Sequence, residues 1–251
     1  MKDTILKQST AVRTGVLSEV RKACESVIVD FDSVKHYKTN IKEWLYPIID
    51  LKDYFVYPIS GITEGLNWWY NQENRTVDML EGDYQWIKKT GNDMLYISMP
   101  SAIDGNIHDI IDDRNIALDL AYVGSTEIRP IEIKNVERAF YSLSKPFGIR
   151  NIRTGWYFTK TEDVRLKNLT ESAKYYNYYA HDVAEKIIET FSLDYVYSTL
   201  SNQQKEVCKN LNLTASDSVW LATSTKEEYS KFRRQKDTAR ICLAGVYNYE
   251  L

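Results

Sequence analysis

The chain has 251 residues, with 32 Lys and Arg against 35 Asp and Glu, a formal net charge of −3 and 43% hydrophobic residues. That apolar content is enough for a packed core, and the small net charge gives no electrostatic reason to expect nucleic acid or an anionic membrane as a partner. With no bilayer-length apolar run, no signal-peptide core, three far-apart cysteines (Cys24, Cys208, Cys242) and three histidines (His36, His108, His181), the expectation is a cytoplasmic protein with reduced thiols and no metal centre.

In chain order, a helix is expected near 15–28. Tyr54–Ile59 is rich in β-formers and reads as a short buried strand. Ser60-Gly61-Ile62-Thr63-Glu64-Gly65 then turns into an apolar-periodic helix through Trp68 and Trp69. Strand, glycine turn and helix start make an anion site, because free N–H groups and the helix dipole face the ligand. The backbone of Ile62 and Thr63, with the Thr63 hydroxyl, would take a phosphate. A second strand is expected at Val77–Glu81, followed by Gly82-Asp83-Tyr84. Asn115–Tyr122 reads as an apolar strand interrupted by Asp119, and a buried aspartate is costly unless it meets a cation. Arg129–Ile133 looks like a further strand, and Phe140–Ser144 like the strand that delivers Lys145.

The segment Ser142-Leu-Ser-Lys-Pro-Phe-Gly-Ile-Arg-Asn-Ile-Arg-Thr-Gly155 offers one lysine in a hydroxyl-rich turn and an arginine eight residues on. An amine can hold an aldehyde as a Schiff base and a guanidinium can hold a phosphate. Arg153–Thr159 reads as the return strand, and 162–211 as mainly helical, with Val183, Ala184, Ile187 and Ile188 at helix spacing. Strands are expected at Ser218–Ala222 and Ala239–Val246, around a helix at Glu227–Arg234. Cys24 and Cys208 are expected to pack in helices and Cys242 in the last strand. This order predicts an α/β fold: a three-layer, mostly parallel sheet followed by a reduced α+β small domain.

Together these segments resemble fold-type I pyridoxal phosphate (PLP) enzymes, the aspartate aminotransferase superfamily of class I/II aminotransferase-like proteins. The resemblance runs from about Tyr54 to Val246 and is sharpest over Ser142–Gly155. It implies a large PLP-binding domain over about 46–165, with 1–45 and 166–251 forming the small domain and dimer-supporting segments. The implied cofactor is pyridoxal 5'-phosphate on Lys145, which would also shuttle the substrate proton. Asp119 would pair with the ring nitrogen, Tyr122 would donate to the phenolic oxygen, and Tyr84 would stack on the ring. Ile62, Thr63, Ser142 and Arg153 would hold the phosphate, with Arg150 a second candidate. Arg240, at the head of Thr238–Val246, would fork onto the substrate α-carboxylate.

The implied activity is amino-group transfer between an α-amino acid and a 2-oxo acid in a homodimer. Alternatives are a PLP-dependent lyase, decarboxylase or racemase, or a non-catalytic binding protein. Members often lend a tyrosine to the neighbouring subunit's phosphate, and Tyr37, Tyr46, Tyr54 and Tyr57 are all candidates. Two departures stand out. The chain is short for the family. The loop position that normally carries an asparagine is Ala102, with Ser101 and Asn106 as possible substitutes, and losing that donor is expected to raise the imine pKa.

Overall fold

β-branched and aromatic residues dominate the strands that build the centre of the molecule. The structure, a computed structural model, describes residues 1–29, 37–84 and 86–250, with the side chains of 37–39 outside that description. Two short helices, α1 (Lys2–Lys7) and α2 (Ser18–Glu25), and a third, α3 (Tyr37–Leu45), precede the sheet. The strands are β1 (Phe55–Ile59), β2 (Val77–Met79), β3 (Met94–Ser98), β4 (Asn115–Asp119), β5 (Val136–Tyr141) and β6 (Gly155–Thr159), with α4 (Ile62–Tyr70) between the first two.

They form one six-stranded sheet in the order β1-β6-β5-β4-β3-β2. β2 to β5 run parallel, and β6 is antiparallel to both its neighbours, so β1 points the same way as β2 to β5. This direction matters for the site. The chain leaves β1 at Ile59, β3 at Ser98, β4 at Asp119 and β5 at Tyr141 all on one edge, and β6 begins there at Gly155.

Cross-strand aromatics fix the β5–β6 register. Phe140 lies opposite Tyr157 and Tyr141 opposite Trp156. Both pairs stack, with ring centroids 5.1 Å and 5.9 Å apart, the aromatic pairing that stabilises sheets. Successive strand residues face opposite sides, so Phe140 and Tyr141 report the two faces. Trp69 of α4 packs on Phe140, whereas Trp44 of α3 packs on Tyr141. Helices therefore cover both faces, and the fold is three-layered α/β.

Beyond the sheet come α5 (Val164–Lys167), a π-helical turn (Asn168–Ser172), α6 (Tyr178–Thr190) and α7 (Tyr195–Leu211). A second, antiparallel sheet follows, β7-β8-β9, from Thr214–Ala215, Leu221–Ser224 and Ala239–Cys242. Buried Gln204 of α7 donates to the carbonyls of Ser216, Ser218 and Leu221, locking helix to sheet. Cys24, Cys208 and Cys242 lie in α2, α7 and β9, buried and unpaired. Burial pushes the Cys24 and Cys208 thiols up to about 11. Among the described residues no helix is long and apolar enough to cross a membrane.

Several expected boundaries shift. β3 is a strand that the pattern along the chain did not reveal. Arg129–Ile133 forms no strand: β5 already pairs with that edge of β4, Pro130 carries no N–H, and the Ile131 N–H bonds to the Ile48 carbonyl instead. The lysine-delivering strand ends at Tyr141, which leaves Ser142–Lys145 in a turn. Glu227–Phe232 is 3₁₀ rather than α, and the last strand stops at Cys242 before a 3₁₀ turn at Ala244–Val246.

Candidate active site

The sheet edge just described collects most of the sequence-marked residues, though not Tyr122 or Arg240, in one cavity of about 240 Å³. Ile62, Thr63, Tyr84, Asp119, Ser142, Lys145 and Arg153 all line it, together with Val12, Ala121, Ser144 and Arg150. Pockets at the carboxyl ends of parallel strands are the usual ligand sites of such sheets.

The phosphate end forms where β1 meets β6. Gly61, at φ 87° and ψ 162°, starts α4 in a backbone conformation open essentially only to glycine. Its lack of a side chain also makes room: a Cβ there would sit 2.7 Å from Nη2 of Arg153. Arg153 itself adopts φ 61°, a left-handed conformation that costs a non-glycine residue about 1 kcal/mol and clusters at functional sites. Glu64 and Gly65 N–H bond back to the Gly61 carbonyl, and the N–H groups of Ile62 and Thr63 are the first-turn donors left for a ligand. The Thr63 hydroxyl meets the Tyr84 hydroxyl at 3.1 Å, which fixes the Tyr84 ring.

Ser142 lines the cavity and is tied into the turn. Its hydroxyl lies 2.6 Å from the Thr154 carbonyl and 2.9 Å from the Ser144 hydroxyl, and its oxygen accepts the Ser144 N–H. Ser144, which the sequence did not mark, lines the cavity beside it.

At the centre, Asp119 ends β4, only 4% exposed. Its Oδ1 accepts the Ala121 N–H and its Oδ2 the Tyr96 hydroxyl, both at 2.8 Å. Burial pushes its carboxyl above the usual range, and the Lys145 charge and these two donors pull it back. A second buried carboxylate, Asp83, sits close by, raised by burial and held by Ser98 and the Tyr84 N–H. Lys145 Nζ lies 4.5 Å from the centroid of the Tyr122 ring and 5.8 Å from that of Tyr84. Tyr96 and Asp83 were missed from sequence. Tyr96 sits inside an apolar strand and nothing local marks its hydroxyl as a partner of Asp119.

Arg240 does not line this cavity. It lies in β9, 6% exposed, with Nη1 donating to the Ala102 carbonyl. The Ala102 loop therefore meets Arg240 through its backbone. The Ser101 hydroxyl accepts the Ile103 N–H and the Asn106 side-chain oxygen accepts the Asp217 N–H, and neither residue is among those that line the cavity. Of the tyrosine candidates, Tyr54 and Tyr57 are buried inside their own fold, bonded to Val136 and Asp163, which removes them. Tyr46 is exposed, and the Tyr37 side chain lies outside the described residues.

No family model matches the sequence, and no curated protein matches it. Solved structures do. An aminotransferase from Staphylococcus aureus superposes with a TM-score of 0.62 at 13% identity, over 95% of this chain and 90% of that one. The aromatic aminotransferase of Pyrococcus horikoshii OT3 gives 0.68 at 12% identity, over 98% and 94%. A PLP-bound C–S lyase from Staphylococcus hominis gives 0.67 at 11% identity, over 94% and 86%. The chain thus has the α/β fold shared by these aminotransferases and this C–S lyase, the fold its sequence resembled.

Proposed function

We propose that this chain is a PLP-dependent aminotransferase that moves an amino group between an α-amino acid and a 2-oxo acid. The observation that carries the reading is the convergence of Thr63, Tyr84, Asp119, Lys145 and Arg153, from four separate segments, on one cavity. The residues fit the cofactor. First-turn N–H groups of α4, the Thr63, Ser142 and Ser144 hydroxyls and Arg153 would supply donors for a phosphate. Asp119 supplies a buried carboxylate whose cost a protonated ring nitrogen would offset. Tyr84 supplies a ring face and Lys145 a primary amine.

When bound, PLP supplies an aldehyde that condenses with amines and a ring that takes up the electron pair of the substrate α-carbon. Lys145 Nζ would hold the cofactor, and once released the same nitrogen would carry a proton to and from the substrate α-carbon. Asp119 keeps the ring nitrogen protonated, and Tyr96 and Ala121 keep Asp119 aimed. Tyr122, packed against Lys145, donates to the ring oxygen. Arg240 holds the substrate carboxylate.

Elimination is the second reading, favoured by the C–S lyase that shares the fold at a TM-score of 0.67. The test is a screen of L-amino acids against PLP-loaded protein without 2-oxo acid. Transamination is expected to convert the cofactor to its amine form, and an added 2-oxo acid to restore it. Release of pyruvate or ammonia with the cofactor spectrum unchanged would assign elimination and overturn the transaminase reading.

A further inference from the structure

Arg240 is nearly sealed from water and yet has no acidic partner among the described residues. Its Nη1 donates to the carbonyl of Ala102, its Nη2 lies 3.4 Å from the carbonyl of Thr10, and its Nε is buried with no acceptor. Carbonyl oxygens do not neutralise a buried cation, and a buried charge is costly until an anion pairs with it. A second guanidinium reaches the same spot. Arg234 Nη2 also lies 3.4 Å from the Thr10 oxygen, so the two Nη2 atoms are at most twice that distance apart. Arg234 too forms no salt bridge among the described residues, and burial, then the charge of Arg240, holds it below the ordinary arginine value.

Backbone packing ties the Arg234 loop to a segment that lines the cavity. The Arg234 N–H bonds to the Thr238 carbonyl, closing a tight loop. That loop presses on Gly82, where a Cβ would come within 2.3 Å of the Arg234 oxygen, two residues before Tyr84. On the other side, Val12, two residues after Thr10, lines the cavity. The oxygen at which both guanidiniums meet is thus two residues along the chain from one lining residue of the cavity, and the Arg234 loop packs two residues before another. Contacts of 3.4 Å to a neutral oxygen are long for hydrogen bonds, whereas a carboxylate oxygen between two guanidiniums makes short, charge-assisted ones.

We propose that Arg234 and Arg240 form a two-arginine carboxylate clamp, with the Thr10 carbonyl standing where one oxygen of the substrate carboxylate binds. The clamp deepens the aminotransferase reading and rests on it for the identity of the carboxylate. Arg234 becomes a substrate-binding residue, and binding of the carboxylate displaces Thr10 and loosens the segment around it.

The test uses propionate, a carboxylate with no amino group, titrated calorimetrically into PLP-loaded protein. Arg234→Gln and Arg240→Gln are each expected to weaken propionate binding roughly tenfold or more, the worth of one charge-assisted hydrogen bond. Lys236→Gln, an exposed neighbour in the same loop, is expected to leave affinity unchanged. Amide exchange over 9–13 is expected to quicken with propionate. Wild-type affinity in Arg234→Gln, no propionate binding by the wild type, or slower exchange over 9–13 would each overturn the clamp. Thermal melting of each variant separates these outcomes from misfolding. If the wild type takes up no PLP, the aminotransferase reading fails, and propionate titration of the cofactor-free protein still decides the clamp.

Discussion

Asp119 shows how one side chain trades stability for a site. Its folded pKa is raised, so its cost is absent below the unfolded value, near 4, and grows as pH rises through the folded value. Asp119→Asn keeps the shape and removes the charge. It is therefore expected to raise the melting temperature of the cofactor-free protein at pH 7, with a smaller gain at pH 4, while weakening PLP chemistry. A lower melting temperature at pH 7 would contradict this. His181 of α6 has the opposite pH dependence. It is 1% exposed, edge-on to Trp156 and Tyr176, and burial pushes it down to about 4. The folded state keeps it neutral while the unfolded chain takes up a proton below about 6.5, so stability is lost as pH falls from 6.5 towards 4. From pH 7 to 5 this one group should cost about 2 kcal/mol. Urea unfolding of His181→Phe at both pH values should show a slope smaller by that amount. An unchanged slope would refute the assignment.

At the scale of elements, the turn from β1 into α4 was legible because Gly61 stands between an apolar strand and an apolar-periodic helix. The structure adds why only glycine serves there: a positive φ, and a guanidinium 2.7 Å from where its Cβ would be. Gly61→Ala is expected to cost about 1–3 kcal/mol of stability. By displacing Arg153 it should also weaken PLP binding roughly tenfold. Wild-type PLP affinity in this variant, measured by fluorescence titration, would argue that Arg153 is not a phosphate ligand. β4 was legible for a similar reason, since one acid in an otherwise apolar run stands out. β3 was not: Met94–Ser98 is a five-residue apolar stretch in a parallel sheet, buried throughout, and such strands lack the alternation that marks half-exposed ones. Arg129–Ile133 shows the converse, a strand-like pattern with no free sheet edge to join.

Across the whole molecule, residues far apart in sequence settle the site. Trp220, fully buried beside the second sheet, donates from Nε1 to the carbonyl of Pro146 at 3.1 Å, so the start of β8 braces the turn that carries Lys145. Trp220→Phe leaves that carbonyl without its donor and should cost about 1–3 kcal/mol. Calorimetry should show the lower melting temperature with or without PLP, and an unchanged value would mean the brace carries no energy. Arg234 escaped the sequence reading for the same reason of distance. It closes the stretch read from the sequence only as a helix, Glu227–Arg234, and its meeting with Arg240 at Thr10 exists only in the folded chain. The chemistry-bearing residues were legible where a local pattern framed them, and the contacts that aim them were not.

The central claim is that the cavity holds PLP through Lys145. Reduction of the PLP-loaded protein with borohydride, followed by peptide mass mapping, tests it most directly. One pyridoxyl adduct per chain is expected, on Lys145, and none in Lys145→Ala. An adduct spread over surface lysines, or retained in Lys145→Ala, would contradict it.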